Sequence, residues 1–455
     1  MEMILEFLRD VLSQPALLIG IMSCVGLIAL KRPFHKIMTG TLKPILGYLM
    51  LAAGAGVIVS NLDPLGKMIE HGFHITGVVP NNEAIVAVAQ KVLGVETMSI
   101  LVVGLLMNLL IARFTKFKYV FLTGHHSLFM ACLMSAVLGT AGLSGIELIL
   151  VGGFLMGAWS AISPAIGQSY TSKVTDGDEI ALGHFGSLGY YLSAWVAKYV
   201  GKAEESTEDI EIPEKWGFLR DSTLSTALTM IVFYLIAAIA AGSEFVATLS
   251  GSMSPYLFAV MSAMNFAVGV AIVYSGVRMI LGDLIPAFQG IATKIIPNAI
   301  PAVDCAVFFT YAPTAVVLGF ISSFIGGIIG MLILGAVGGV LIIPGLVPHF
   351  FCGATAGIYG NATGGRRGAA VGAFLNGLAI TFLPALALPV LGQLGFQNTT
   401  FGDADFAVMG LVLGNAFEWI GMAGIYAVVV IAALVLIIPN FIKTKGKVIN
   451  YVEEE

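Results

Sequence analysis

Long apolar runs separated by short polar segments make up most of the chain. A helix needs about 20 apolar residues to cross the roughly 30 Å of hydrocarbon in a bilayer. Runs of this kind predict about eleven transmembrane helices, near residues 14–30, 41–60, 97–112, 118–140, 145–170, 222–243, 255–277, 318–342, 346–362, 368–392 and 408–440. No stretch alternates apolar and polar residues over the roughly ten positions of a membrane β-strand. The pattern therefore predicts an all-α polytopic membrane protein.

The composition supports the same class of protein. Of the 455 residues, 58% are hydrophobic and 11% are charged, against about 25% charged residues in an average soluble domain. The net charge of -5 includes no separate basic tract, which argues against a nucleic-acid partner. The four cysteines are scattered through apolar runs without a C-x-x-C pair, and no P-loop motif occurs. We therefore predict neither a metal site nor ATP hydrolysis, and we expect no cofactor.

Lys and Arg in the short loops predict the orientation, because loops rich in these residues stay in the cytoplasm. With the N-terminus outside and the C-terminus in the cytoplasm, one parity fits every basic cluster: Lys31, Arg32, Lys36 and Lys43; Arg113, Lys116 and Lys118; Arg278; Arg366 and Arg367; Lys443, Lys445 and Lys447. The same parity places these acidic residues outside: Asp63, Glu70, Glu96, Glu147, Glu244, Asp403 and Asp405. The charged stretch 202–216 is interpreted as a solvated cytoplasmic linker rather than a docking edge for a soluble partner.

Weak similarity between the two halves predicts an inverted repeat. A set of residues around Gly54 recurs 222 positions later around Gly276, and three further matches keep the same order at similar displacements. Because each copy holds five spans, an odd number, the second copy is upside down, as in many transporters. The predicted units are a first repeat at 1–198 with a folded-back segment at 171–198, a linker at 199–221, a second repeat at 222–407, and a last span with a cytoplasmic tail at 408–455.

Two short apolar segments that begin near proline and polar residues predict re-entrant half-helices, one near 80–94 and the other near 304–318. They enter from opposite faces of the membrane. Non-helical backbone at membrane depth is tolerated where it lines a cavity, so we expect substrate at the tips of these segments. The more polar run 280–298 predicts a helix that lies along the cytoplasmic surface.

Asp304 is the strongest single candidate for a functional side chain. No other charged residue lies between Lys294 and His349, and a carboxylate in such an apolar stretch indicates function by default. The alternative is an N-cap of the following half-helix, since Asp is a favoured cap. His125 fits a substrate contact and an interfacial side chain equally well. The remaining histidines are interpreted as loop or interfacial residues: His184 in a loop, and His35, His71, His74, His126 and His349 at the interface.

Seven short motifs together resemble a known family. They are Leu122-Thr-Gly-His125, Val174-Thr-Asp-Gly177, Gly276-Val-Arg-Met279, Ala287-Phe-Gln-Gly290, Asp304-Cys-Ala306, Ala312-Pro-Thr-Ala-Val-Val317 and Ile343-Pro-Gly-Leu-Val-Pro348. In order and extent, they are similar to the membrane IIC component of the bacterial ascorbate phosphotransferase system. The resemblance implies a homodimer in the bacterial inner membrane that imports L-ascorbate by an elevator-type movement. It also implies phosphorylation of the substrate by a separate cytoplasmic IIB protein, which is itself charged by IIA.

Carried over position by position, the resemblance implies a set of substrate-binding residues: His125, His184, Asp304, Asn82, Glu83, Tyr311 and Thr355. It implies no catalytic residue in this chain, because the partner proteins carry the phosphoryl group. The chain departs from the ascorbate proteins at Phe129 and Phe185, where those proteins have glutamines. Fewer amide groups leave fewer hydrogen bonds for a polyhydroxyl ring, which bears on the identity of the sugar rather than on the mode of transport.

Two other classes of protein stay open on the sequence. One is a cation-coupled secondary transporter of a small polar solute, with Asp304 and Glu83 binding the coupling ion. The other is a channel-like or purely structural membrane protein. Accumulation driven by an ion gradient alone would indicate the first of these, and rapid uncoupled flux the second.

Overall fold

The structure is a computed structural model of the full chain. It describes residues 10–11, 14–74, 77–78, 80, 82–177, 179–210, 222–392 and 400–441; within these ranges, some helical side chains, including those at 83–94, are outside the description. The described helices, in chain order, are α1 Pro15–Ala29, α2 Phe34–Phe73, α3 Asn82–Phe114, α4 Gly124–Thr140, α5 Gly145–Thr175, α6 Ser187–Val200, α7 Ser222–Ala241, α8 Ser243–Ser250, α9 Pro255–Lys294, α10 Pro313–Ala336, α11 Leu346–Gly392, α12 Ala404–Ile420 and α13 Met422–Ile437.

Seven of the described helices are long and apolar enough to cross a membrane, or up to eight if the bent pair α7 and α8 counts as one span. The fold is thus an all-α polytopic membrane fold, as predicted. The prediction of about eleven spans differs in part because α1 and α4, which cover two of the predicted spans, have 17 residues or fewer. Helix α11 also joins two predicted spans across a kink, where Gly365 has a φ of +59°.

Other predicted boundaries differ from the structure as well. Both predicted half-helices continue into longer helices: α3 runs unbroken from Asn82 to Phe114, and α10 from Pro313 to Ala336. The predicted surface helix at 280–298 is the end of α9, which has 40 residues. The predicted span at 408–440 is divided at Gly421, whose φ of +62° ends α12 and begins α13.

Three short strands form a parallel sheet inside the helical bundle: β1 Tyr119–Phe121, β2 Ala181–Leu182 and β3 Ile300–Val303. Their order is β1-β3-β2, so the strand from the second half lies between two strands from the first. The sequence pattern placed β1 inside a transmembrane span. It can leave the helical conformation because pairing with β3 satisfies backbone groups that lipid would leave without partners.

The helices pack in two groups. We call α1, α2, α7, α8 and α9 the α2–α9 group, and α3 to α6, the sheet and α10 to α13 the site group. Contacts within each group are extensive, and contacts between the groups are sparse. At the centre of the α2–α9 group, glycines allow the two longest members to touch backbone to backbone. A Cβ atom on Gly54 would lie 2.7 Å from the carbonyl oxygen of Gly269, and one on Gly276 would lie 2.5 Å from that of Gly47.

Candidate functional site

The three strands bring polar residues to one edge of the sheet. β1 is followed by His125 and His126, β2 by His184, and β3 by Asp304. Because the strands are parallel, the segments that leave their carboxyl ends emerge at the same edge. His125 and Asp304 therefore lie close together, although they are 179 positions apart in the sequence.

Asp304 uses its two carboxylate oxygens for different contacts. Oδ1 accepts a hydrogen bond from the backbone N–H of Ala306 at 3.1 Å and so caps the 3₁₀-helix Cys305–Thr310. Oδ2 lies 3.4 Å from Nε2 of His125. The N-cap interpretation is therefore confirmed for this 3₁₀-helix. The second oxygen faces a histidine at the sheet edge and is the one that a substrate could contact.

His125 connects the two groups of helices. Its Nδ1 lies 3.3 Å from the hydroxyl of Tyr48 on α2. The tyrosine O–H can donate to Nδ1, and Nε2–H can then donate to Asp304, which gives an ordered chain from Tyr48 through His125 to Asp304. Tyr48 and Asp304 are 7% exposed, whereas the His125 side chain is 36% exposed. His125 is thus the accessible member of this chain.

His184 is held in one tautomer by its surroundings. The backbone N–H of Gly186 donates to its Nδ1 at 3.1 Å, and the hydroxyl of Tyr190 lies 2.9 Å from the same nitrogen. Because a backbone N–H can only donate, Nδ1 accepts and the ring proton of the neutral imidazole is on Nε2. The ring of His126 packs against this imidazole, with the ring centroids 3.8 Å apart. His184 therefore presents an N–H donor from a fixed ring.

Asp403 is a second buried carboxylate at the site. Its Oδ2 accepts a hydrogen bond from Asn82 Nδ2 at 2.6 Å, and its Oδ1 accepts one from Cys352 Sγ at 3.0 Å. The same Oδ1 lies 3.7 Å from Nδ1 of His184. Asn82 also accepts a hydrogen bond from the backbone N–H of Gly402 at 2.9 Å. The start of α3 is thereby joined to the segment before α12.

Asp405 supports the loop that carries His184. It accepts hydrogen bonds from the Ser187 hydroxyl at 2.7 Å, the Leu188 backbone N–H at 2.9 Å and Trp159 Nε1 at 3.2 Å. Since Asp405 is fully buried, these three donors fix the start of α6 and hence the position of His184.

Phe129 and Phe185, at the two positions where the family resemblance implies glutamines, lie behind the histidines. The ring of Phe129 packs edge-on against His125 at a centroid distance of 5.8 Å. Phe185 is fully buried and stacks on Phe121 at 4.6 Å. These rings hold the imidazoles by packing instead of adding hydrogen-bonding groups at the site.

The implied substrate residues are only partly brought together. Asn82, His125, His184 and Asp304 lie in one connected set of contacts. The hydroxyl of Thr355 donates to the Phe351 carbonyl oxygen in its own helix at 2.7 Å, and it also contacts the thiol of Cys305, which is next to Asp304. Tyr311 is 36% exposed, at the end of the 3₁₀-helix. The Glu83 side chain lies outside the described residues.

Several interpretations of single residues were wrong. His126 is 4% exposed and packs between His184 and Phe406, so it is not interfacial. His349 is 2% exposed, and its Nδ1 lies 2.9 Å from the Ser323 hydroxyl in the contact between α10 and α11. Asp403 and Asp405 were assigned to an outside loop, yet both are buried among polar partners at the site. The argument from intramembrane acids that selected Asp304 could also have selected these two.

Two sets of described side chains are close enough to share a metal ion. One set is His126, His184 and Asp403, and the other is His184, Asp304 and Cys305. The hydrogen bonds favour a different use of these groups. Nδ1 of His184 already accepts from Gly186, and Nδ1 of His126 accepts from the Phe185 backbone N–H at 3.4 Å. A metal on either nitrogen would displace a backbone donor, and the set therefore fits hydrogen bonding to a polar solute better.

Apolar membrane-spanning helices that enclose a buried set of imidazoles and carboxylates define a multi-pass membrane protein with a polar centre. A family model described as "PTS system sugar-specific permease component" matches residues 10–405. The chain belongs to this family of permeases of the phosphotransferase system (PTS). It is also similar to the "Ascorbate-specific PTS system EIIC component" of Mycoplasma pneumoniae, with 26% identity over 474 aligned positions that cover 90% of this chain and 70% of the relative.

Proposed function

We propose that this permease imports L-ascorbate, or a related anionic sugar, by an elevator-type movement coupled to phosphorylation by a separate IIB protein. The observation that carries the proposal is the convergence of His125, His184 and Asp304 at one edge of a sheet built from both halves of the chain. The relative from Mycoplasma pneumoniae, which is described as ascorbate-specific, supports the choice of substrate.

The donors and acceptors at the site suit an anion that carries hydroxyl groups. His184 offers an Nε2–H donor, because its Nδ1 is occupied by Gly186 and Tyr190. His125 is partly exposed, and its Nε2–H can donate to the substrate instead of to Asp304. Asp304 can accept from substrate hydroxyls, and a hydrogen bond to a charged group contributes about 1.5–3 kcal/mol.

An inverted repeat, which we propose as the origin of this site, has support in the pairing of the chain. Val78 pairs with Ile342, and Tyr119 pairs with Ile300, both in parallel. In a repeat, Val78 of the first half corresponds to Ile300 of the second, and Tyr119 corresponds to Ile342. These corresponding residues are 222 and 223 positions apart, close to the displacement of the sequence repeat. Each predicted repeat also contains a helix of 40 residues, α2 in the first repeat and α9 in the second.

The two groups of helices support an elevator-type movement. The site lies almost wholly in the site group, whose contacts with the α2–α9 group are sparse. A small apolar cleft lies between the groups, lined by Met230 and Phe266 on one side and Val316, Phe320 and Phe350 on the other. Apolar side chains without interlocking polar contacts let one group slide along the other without breaking many hydrogen bonds.

The other components of the proposal are a homodimer, an outside N-terminus, a cytoplasmic C-terminus and a location in the bacterial inner membrane. The cytoplasmic partners are IIB, which phosphorylates the substrate, and IIA, which supplies the phosphoryl group to IIB. Phosphorylation adds about 1.5–2 negative charges at neutral pH. Asp304 and Asp403 would repel this added charge, which favours release of the product into the cytoplasm.

Reconstitution in liposomes tests the proposal. The purified permease should bind and exchange radiolabelled ascorbate without concentrating it. With IIA, IIB and a phosphoryl donor enclosed, ascorbate phosphate should accumulate inside, and liposomes that lack only IIB provide the matched control. Concentration of unmodified ascorbate by a proton or sodium gradient alone would instead establish the cation-coupled transporter. If ascorbate does not bind but another anionic sugar accumulates as its phosphate, the proposed substrate is wrong and the proposed coupling to IIB stands.

A further inference from the structure

Tyr48 occupies an unusual position among the residues around the site, because it belongs to the other group of helices. It lies on α2, which packs along α9 in the α2–α9 group. Its hydroxyl nevertheless reaches Nδ1 of His125, at the carboxyl edge of the sheet. The contact therefore joins a residue at the proposed substrate site to the group of helices that the site would move against.

The hydroxyl of Tyr48 completes the hydrogen bonding of the His125 ring. When the tyrosine donates to Nδ1, the proton of the neutral ring is on Nε2. That N–H points to Oδ2 of Asp304 at 3.4 Å. The ionised carboxylate of Asp304 can only accept, so it favours the same tautomer, and the tyrosine hydroxyl supplies the donor that Nδ1 then needs. Without the hydroxyl, Nδ1 loses this donor and the ring loses its link to α2.

Both contacts in this chain of three residues are long. Hydrogen bonds of this kind in proteins are commonly 2.7–3.0 Å, whereas those here are 3.3 Å and 3.4 Å. A substrate that accepts from His125 and donates to Asp304 can therefore replace the contact between them at small cost. Since His125 is partly exposed, solute can reach it while Tyr48 stays buried.

We infer that Tyr48 is a positioning residue that orders the His125 ring and holds the two groups of helices together in this conformation. Substrate replaces the contact between His125 and Asp304, and the imidazole can then shift away from the Tyr48 hydroxyl. Loss of this hydrogen bond allows the site group to move relative to the α2–α9 group. This inference rests on the proposed elevator-type function. It assigns Tyr48 to the movement step and not to contact with the substrate.

The substitution Tyr48→Phe removes the hydroxyl and keeps the ring. The control is Tyr234→Phe, because the Tyr234 hydroxyl donates to the carbonyl oxygen of Asn61 within the α2–α9 group. Spin labels at positions 252 and 420, one on each group, report the distribution of distances between the groups in the purified protein. We expect Tyr48→Phe to reduce the population of the present conformation by roughly two- to tenfold, and Tyr234→Phe to leave it unchanged.

Exchange kinetics separate positioning from binding. Tyr48→Phe should change kcat for ascorbate exchange by roughly two- to tenfold, while equilibrium binding of ascorbate changes less than threefold. A tenfold loss of binding at unchanged kcat would overturn the inference, because Tyr48 would then be a substrate-binding residue. An unchanged distance distribution would also overturn it. If no variant or parent protein binds ascorbate, the proposed substrate fails, yet the distance measurement on the empty protein still tests the link.

Discussion

Asp304→Asn separates the two roles that the structure gives to this side chain. The asparagine carbonyl oxygen can keep the cap on the backbone N–H of Ala306, which now measures 3.1 Å to Oδ1. The other position, 3.4 Å from Nε2 of His125 in the carboxylate, becomes an amide N–H₂ group. It then faces an N–H donor, and the charged acceptor for substrate hydroxyls is lost.

The size of the effect follows from the lost charged acceptor. A hydrogen bond to a charged group contributes about 1.5–3 kcal/mol, so ascorbate binding should weaken by roughly 10- to 100-fold. Isothermal titration of the purified permease measures this change, and thermal unfolding in the same detergent checks the fold. The control is Asp283→Asn, which removes a carboxylate paired with Lys43 at 3.5 Å near the end of α9.

A second substitution makes the test stricter. Asp304→Ala removes the acceptor and the cap together, so it should weaken binding at least as much and also lower stability by about 0.5–2 kcal/mol. If Asp304→Asn binds ascorbate as the parent protein does and only Asp304→Ala is impaired, the carboxylate is only a cap. The substrate role would then be refuted.

Three further predictions concern packing, the linker and orientation. Gly54→Ala places a methyl group against the carbonyl oxygen of Gly269 and should destabilise the protein by about 1–3 kcal/mol. Gly56→Ala, which meets nothing within 4 Å on the same helix, should not lower the thermal unfolding temperature; equal losses would contradict the close contact. Glu208 accepts from the backbone N–H groups of Thr314 and Ala315 at 3.0–3.1 Å and so caps the start of α10. Glu208→Ala should remove about 0.5–2 kcal/mol of capping free energy and speed hydrogen exchange at the start of α10. The control Glu204→Ala, at an exposed position, should not change this exchange. Single cysteines at positions 209 and 252, in a background without native cysteines, should react with an impermeant reagent from opposite sides of the membrane. Labelling of both positions from the same side would contradict the predicted orientation.

The membrane class and the position of Asp304 among the clustered polar residues could be predicted from the sequence because each depends on local properties. Apolar runs identify membrane helices regardless of what packs against them. Asp304 is conspicuous because a single carboxylate in such a run is costly. The motif match then selected His125, for which the sequence alone left a substrate contact and an interfacial position equally open, and His184, which spacing alone assigned to a loop.

The sheet and the second carboxylate depend on partners that are distant in sequence. β1 is an apolar segment that fits a helix or a strand equally well, and its partner β3 begins at Ile300, far along the chain. Asp403 was treated as a loop acid because the orientation argument assigns acids to loops. Its role becomes visible only when Asn82, 321 positions away, donates to it.

The distance in sequence between these partners has a consequence for how the protein is made. Asn82 enters the membrane early in synthesis, but Asp403 is added only after most of the helices. Until then the polar groups of Asn82, His184 and Cys352 lack the carboxylate that they contact in the finished fold. Unpartnered polar groups are costly in lipid, so the nascent helices that carry them must be kept hydrated or shielded until synthesis is nearly complete. Truncation before residue 403 would therefore leave a chain whose helices can insert but whose polar centre cannot close.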